Sequence, residues 1–245
     1  MTRVALMQPT FLPWLGYFAL ADAVDLFVVL DDFQFGRRTF GQRNRLFVAG
    51  DRVDWVSVPV AHAGDAGRVT YREARPLTAE VARKLPALLG HAYARAPHLR
   101  DVLPLVERWL AGPHGSLADL NVAFCREAMR LFGIRAEVTT SSRIGSRGAR
   151  SARLESLLRA VSATTYCSAR GSVGYMVEDA VFPLDGVETV VQRYEPAPYA
   201  QVQSRAFVPY LSALDAMLQL GPDGAADAMR RGARAFEPWE EAIAS

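Results

Sequence analysis

The sequence predicts an α/β fold, a mostly parallel sheet flanked by helices. Three observations carry this. Short runs of consecutive apolar residues at 3–8 and 25–32 are separated by a stretch with helical character, the pattern of strands buried on both faces. Strand-like and helix-like segments then alternate along most of the chain. Half of the 245 residues are hydrophobic and 22% are charged, a balance that supports a sizeable core and excludes general disorder. We read one α/β domain over 1–245, with a helical insertion at about 77–132.

The elements follow in order. RVALMQ (3–8) is a buried strand. The two prolines of PTFLPWLGYF punctuate a turn, and LGYFALADAV reads as a helix. DLFVVLDD (25–32) is a second buried strand ending in paired aspartates. From 43 to 60, two β-rich runs flank Ala49-Gly50-Asp51-Arg52, a hairpin signal. The 77–132 stretch is mostly helical; Ser116 and Asp119 form a capping-box-like start, and Gly133 ends its last helix. IRAEVTTSS, a helix at 151–162, TTYCSA, a helix near 173–181 and VETVVQRY complete the alternation. The C-terminal stretch reads as two helices broken at Gly221-Pro222.

Composition narrows the function. Net charge is +2, from 28 basic and 26 acidic residues, too balanced for general nucleic-acid binding. No apolar run approaches the roughly 20 residues of a bilayer span, and the N-terminus lacks the features of a signal peptide. Two cysteines, Cys125 and Cys167, cannot build a disulfide framework. The reading is a cytoplasmic protein. Four scattered histidines, without paired ligand spacing, predict no metal site. The single lysine, Lys84, lies outside any phosphate-loop motif, and no cofactor is predicted.

In open parallel sheets, ligands bind beyond the carboxyl ends of the strands. Those ends carry Gln8, then Asp31 and Asp32, Ser141 and Ser142, Cys167 and Ser168, and finally Gln192 and Tyr194. The segment 31–45 adds Gln34, Gln42, Asn44 and the arginines 37, 38, 43 and 45. A carboxylate pair suits a general base or an amine anchor, and arginines clamp anions. The alternative is a solvated basic loop. Cys167, at a strand end before a turn, is a candidate nucleophile, with Arg170 placed to lower its pKa. No histidine follows it, so His62 or His114 would have to approach in space. Cys125 reads as core. The Gly, Ser and Arg-rich run 141–153 is either an ordinary loop or a lid over a phosphate or pantetheine arm. Ser212, Asp215 and Gln219 share one helix face, either solvated or a wall of the site.

The strand, Pro-rich turn and helix of 3–22 resemble the Rossmann-like start of HxGH nucleotidylyltransferases and pantothenate synthetases. Alignment on Gly16 places Trp14 and Tyr17 where those enzymes hold histidines. Neither ring supplies an imidazolium for phosphate, so adenylyl transfer is not implied; packing of both aromatics into the core is the alternative.

A second resemblance is more specific. Met7-Gln8-Pro9-Thr10-Phe11-Leu12-Pro13-Trp14-Leu15-Gly16-Tyr17-Phe18 resembles the opening signature of the WbqC family. Asp31-Asp32 with Gln34-Phe35, then Arg43-Asn44-Arg45, are similar to its second signature. Val58-Pro59-Val60, Asn121, Phe132-Gly133-Ile134, Tyr199 with Gln201, Phe207-Val208-Pro209, and Ser212 with Asp215 continue the likeness over nearly the whole chain. Thr39-Phe40 stands where members often carry a tryptophan, and the stretch around Cys167, Ser168 and Arg170 matches loosely. The resemblance implies an enzyme of O-antigen, other surface-polysaccharide or natural-product biosynthesis that transfers an acyl or aminoacyl group. The substrate would be a small molecule, sugar-borne or tethered to a carrier protein. A thioesterase or lactam-forming cyclase acting through Cys167, and a non-catalytic binding protein, are the alternatives.

Overall fold

The computed structural model describes residues 1–61 and 69–244. The chain opens with β1 (Arg3–Met7), α1 (Leu15–Asp22) and β2 (Leu26–Val29), followed by the hairpin β3 (Arg43–Ala49) and β4 (Arg52–Ser57). Helices α2 (Thr78–Ala92), α3 (Leu99–Leu110) and α4 (Leu117–Leu131) fill the anticipated insertion. Then come β5 (Glu137–Thr140), α5 (Ser141–Ile144), α6 (Arg150–Ala160), β6 (Thr165–Ser168), α7 (Val173–Glu178) and β7 (Glu188–Val191). The chain closes with α8 (Ala213–Gly232), β8 (Glu237–Pro238) and α9 (Trp239–Ala244).

Six strands form one sheet in the order β5-β2-β1-β6-β7-β8, and β3 pairs with β4 in a separate ribbon. All pairings in the large sheet are parallel except the edge contact of β7 with β8. The chain moves outward from β1 through β2 to β5, then crosses to the other side of β1 at β6. This reversal creates a crevice at the carboxyl ends of β1 and β6.

Strand alternation divides the core between two faces. Ala5, Phe27, Val29 and Cys167 face a layer built from α1, the three insertion helices and α8. Val4, Leu6, Val28 and Tyr166 face the opposite layer of α6, α7 and α9. The insertion helices dock by their spacing. In α3 the buried residues are Val102, Val106, Trp109 and Leu110, a single apolar stripe. Ser116 caps α4, its Oγ accepting from Asp119 N at 3.1 Å.

Two glycines are required by close approach or dihedral. The Trp14 indole lies so close over Gly16 that an added Cβ would stand 2.2 Å from it. Gly221, at φ 74°, breaks α8 into two halves ahead of Pro222, as the sequence anticipates. The last strand and helix, β8 and α9, are not signalled in the sequence reading, because a two-residue strand and a six-residue helix show no periodicity. The run 141–153 supplies α5 and the first turn of α6, joined by an irregular stretch at 145–149.

Candidate functional site

Gln8, Asp31, Ser141, Ser168 and Gln192 stand at or just beyond the carboxyl ends of the parallel strands. Two clefts open there. The first, of about 700 Å³, lies over the ends of β1 and β2. Its floor includes Leu6, Leu30 and Phe33, and its polar walls include Gln8, Gln34, Arg150 and Arg153. Gly171 and Ser172, after β6, close the side nearest the crevice. The second cleft, of about 590 Å³, has Trp14 on one wall and the residues following β6 and β7 on the other.

The aspartates sit beside the first cleft and are already engaged. Asp31 accepts from Ser142 N at 3.0 Å, Ser142 Oγ at 2.6 Å and Ser141 Oγ at 3.1 Å. Arg72 Nε approaches its other side at 3.5 Å. This carboxylate ties β2 to the β5–α5 junction. Asp32 accepts from Ser141 Oγ and pairs with the Arg153 guanidinium. Arg153 also donates to Asp32 O at 3.1 Å and Ser146 Oγ at 2.8 Å, and it lies 4.3 Å over the Phe33 ring. A guanidinium held from several sides has lost its rotamer freedom before any ligand arrives. Asp32 therefore positions Arg153 at the cleft.

A second polar cluster is sealed inside. Asp215, fully buried at the start of α8, accepts from Tyr93 Oη at 2.8 Å, Tyr199 Oη at 2.6 Å and Gln201 Nε2 at 2.9 Å. Burial pushes its carboxyl above the usual range, against the pull of these donors. Burial and the nearby Asp215 charge raise both tyrosines. Gln201 also exchanges hydrogen bonds with Val208, its Nε2 donating to the carbonyl at 3.1 Å and its Oε1 accepting from N at 2.8 Å. The cluster fixes the irregular stretch 192–212 against the insertion.

A model of the WbqC-like protein family matches residues 8–227. The chain belongs to this family. It is also 28% identical over 225 residues to "Uncharacterized protein Rv1507c" of Mycobacterium tuberculosis (strain ATCC 25618 / H37Rv), covering 91% of this chain and 96% of that one. No solved structure matches.

The WbqC-like signature residues divide into three groups. Gln8 and Gln34 line the first cleft, and Trp14 and Arg170 line the second. Asp31 and Asp32 brace the first cleft from behind. The others are placed elsewhere. Tyr17 is buried, edge-on to Phe27 at 5.1 Å, and lines neither cleft. Asn44 is buried and donates to Phe11 O at 3.2 Å and Leu12 O at 2.8 Å, holding a turn in which Leu12 has φ 47°. Arg43 stacks 4.2 Å over Trp55 on the hairpin. The Arg45 carbonyl accepts from Ser212 N at 3.1 Å, and Ser212 Oγ accepts from Leu214 N at the same distance to cap α8. Arg38, exposed at φ 59°, lines neither cleft; its N–H donates to Gln42 Oε1. Ser168 is buried, its Oγ donating to Ala169 O at 3.2 Å.

Cys167 is not brought to either cleft. Its thiol is fully buried on the α1 side of β6, where Arg3 Nη2 lies at 3.3 Å. Burial pushes its pKa up to about 11, and the Arg3 charge only partly opposes that. Arg170, the predicted activator, pairs instead with Glu237 at 2.6 Å. His62 lies outside the described residues, and His114 Nε2 rests 2.6 Å from Trp109 O in the insertion. Cys125 is buried beside Met129, as its helix pattern indicates.

Sequence reasoning did not single out Arg153, although it lies within the arginine-rich run already noted. Only the fold shows which of those arginines meets Asp32. Tyr93 was likewise invisible, because its partner Asp215 is 122 residues away. Among the described residues, no helix is long and apolar enough to cross a membrane, and no group of three or more His, Cys, Asp or Glu could hold a metal ion.

Proposed function

We propose that this protein is a biosynthetic transferase that moves an acyl or aminoacyl group from an activated donor onto the amine of a small molecule, sugar-borne or carrier-tethered. The observation that carries the reading is the cleft of about 700 Å³ over the ends of β1 and β2, beside the strand-order reversal, with Arg153 braced by Asp32 on its wall. Membership of the WbqC-like family agrees with the biosynthetic setting that the sequence resemblance implies. The wall groups are amides, hydroxyls and guanidinium groups. They suit binding and charge stabilisation rather than covalent catalysis.

In this reading the substrate amine attacks the donor carbonyl. A carbon–nitrogen bond forms, and negative charge gathers on the carbonyl oxygen, facing Arg153. The bond to the donor's leaving group then breaks, and the amine proton departs with that group or to solvent. Asp32 acts by holding Arg153, and Asp31 by holding the end of β2. The buried, neutral Cys167 takes no part.

The test is direct. The protein is incubated with acyl thioesters and a panel of amino sugars and simple amines, and amide products are read by mass spectrometry. Amide formation that falls sharply in Arg153→Ala supports the proposal. A folded protein that acylates none of these acceptors, or an Arg153→Ala variant with undiminished turnover, overturns it.

A further inference from the structure

The second cleft carries an inference of its own. It opens across the 168–172 segment from the first, and Gly171 lines both. Two aromatic faces form one side. The Trp14 indole is held by Tyr194, edge-on at 5.1 Å, and by Tyr210 at 5.3 Å. Tyr210 is 49% exposed and has φ 59°, the left-handed region. That conformation costs a non-glycine residue about 1 kcal/mol. Strained residues of this kind gather at ligand clamps. Tyr210 is a large aromatic kept half in solvent on a strained backbone, its ring packed on Trp14.

The other side is charged, and the charges do not cancel. Arg170 pairs with Glu237 at 2.6 Å, and Arg234 pairs with Glu195 at 3.0 Å. Arg193 lines the cleft without a side-chain partner among the described residues. Arg193 is thus a positive charge beyond the paired ones. The guanidinium fork also matches phosphate geometry. Exposed aromatic faces beside such a fork accept a flat or ringed body by stacking.

We propose that this second cleft binds a ring-bearing phosphate ester, with its ring on Trp14 and Tyr210 and its phosphate on Arg193. A nucleotide and a sugar phosphate share that chemistry. The inference does not depend on the transfer reaction, because its test reads binding without turnover.

The full-length protein is titrated by calorimetry with uridine diphosphate, glucose 1-phosphate and inorganic phosphate. At least one ester should bind about fivefold or more tightly than inorganic phosphate, the contribution of stacking. Arg193→Ala should weaken that ester about tenfold. Tyr210→Ala, a rim substitution that leaves the core intact, should weaken the ester and leave inorganic phosphate unchanged. Thermal melts confirm that both variants fold. Preference for uridine diphosphate assigns the ring to a nucleoside, and preference for glucose 1-phosphate assigns it to a sugar. If neither ester binds better than inorganic phosphate, or neither substitution weakens it, the proposal fails.

Discussion

Two carboxylate clusters carry much of the family signature, and the fold puts them to opposite uses. Asp215 lies inside, enclosed by Tyr93, Tyr199 and Gln201. Asp32 lies at the edge of a cleft, where its bond to Arg153 fixes a cation that faces open space. The residue types are similar, and both carboxylates accept short hydrogen bonds. Access to the cleft separates them. A buried acceptor with every donor internal is scaffold; a carboxylate that immobilises a cleft-lining arginine prepares a binding group. Substitutions in the two places should therefore fail differently.

The largest effect belongs to Asp215→Ala. It leaves three donors without their acceptor, those of Tyr93 and Gln201 in buried bonds worth about 1–3 kcal/mol each. A loss of about 3 kcal/mol or more should lower Tm by about 6–12 °C. A melt within 2 °C of the parent, roughly half a kcal/mol, would show that the cluster is not scaffold. Arg153→Ala should show the converse. Its turnover should fall about 10²-fold, while Tm falls by less than about 4 °C. Loss of stability with intact specific activity would place Arg153 with the scaffold.

Asn44→Ala comes next. It frees the Phe11 and Leu12 carbonyls at a strained turn and should cost about 2 kcal/mol, read by denaturant unfolding. Because that turn leads to Trp14, binding at the second cleft should weaken as well.

The pH dependence of the inner cluster is a smaller effect. The Asp215 pKa is raised in the folded state, so the folded protein holds that proton more tightly than the unfolded chain. This contribution to stability is complete below the ordinary value of 3.8 and is lost as pH rises through the raised value. The Tm advantage of the parent over Asp215→Asn, measured from about pH 4 to pH 7, should shrink as pH rises. A widening gap contradicts the assignment. The smallest effect is that of Cys167→Ala, which should leave turnover unchanged and cost roughly 1 kcal/mol of stability. In the native protein, neither cysteine should react rapidly with a thiol reagent at pH 7.5, and both should react in guanidinium. Rapid labelling of Cys167 would reopen the covalent alternative.

Local chemistry made much of this molecule legible before folding. Continuous apolar runs identified β1 and β2 because a strand covered on both faces needs no polar alternation. Gly221-Pro222 announced the break in α8, and Ser116 the start of α4, through short-range hydrogen bonding and dihedral limits. The strand ends were legible too, so the edge that carries the clefts could be named from sequence. Tertiary structure alone decided which polar residues reach those clefts. Asn44 and Asp215 look like ligand-binding side chains in sequence, yet their partners are backbone and side chains of distant segments. Arg153 looks like one more arginine in a basic run, yet it is the one that meets Asp32. A residue type states what bonds a group can make; whether a ligand or the protein itself makes them depends on contacts between segments far apart in the chain.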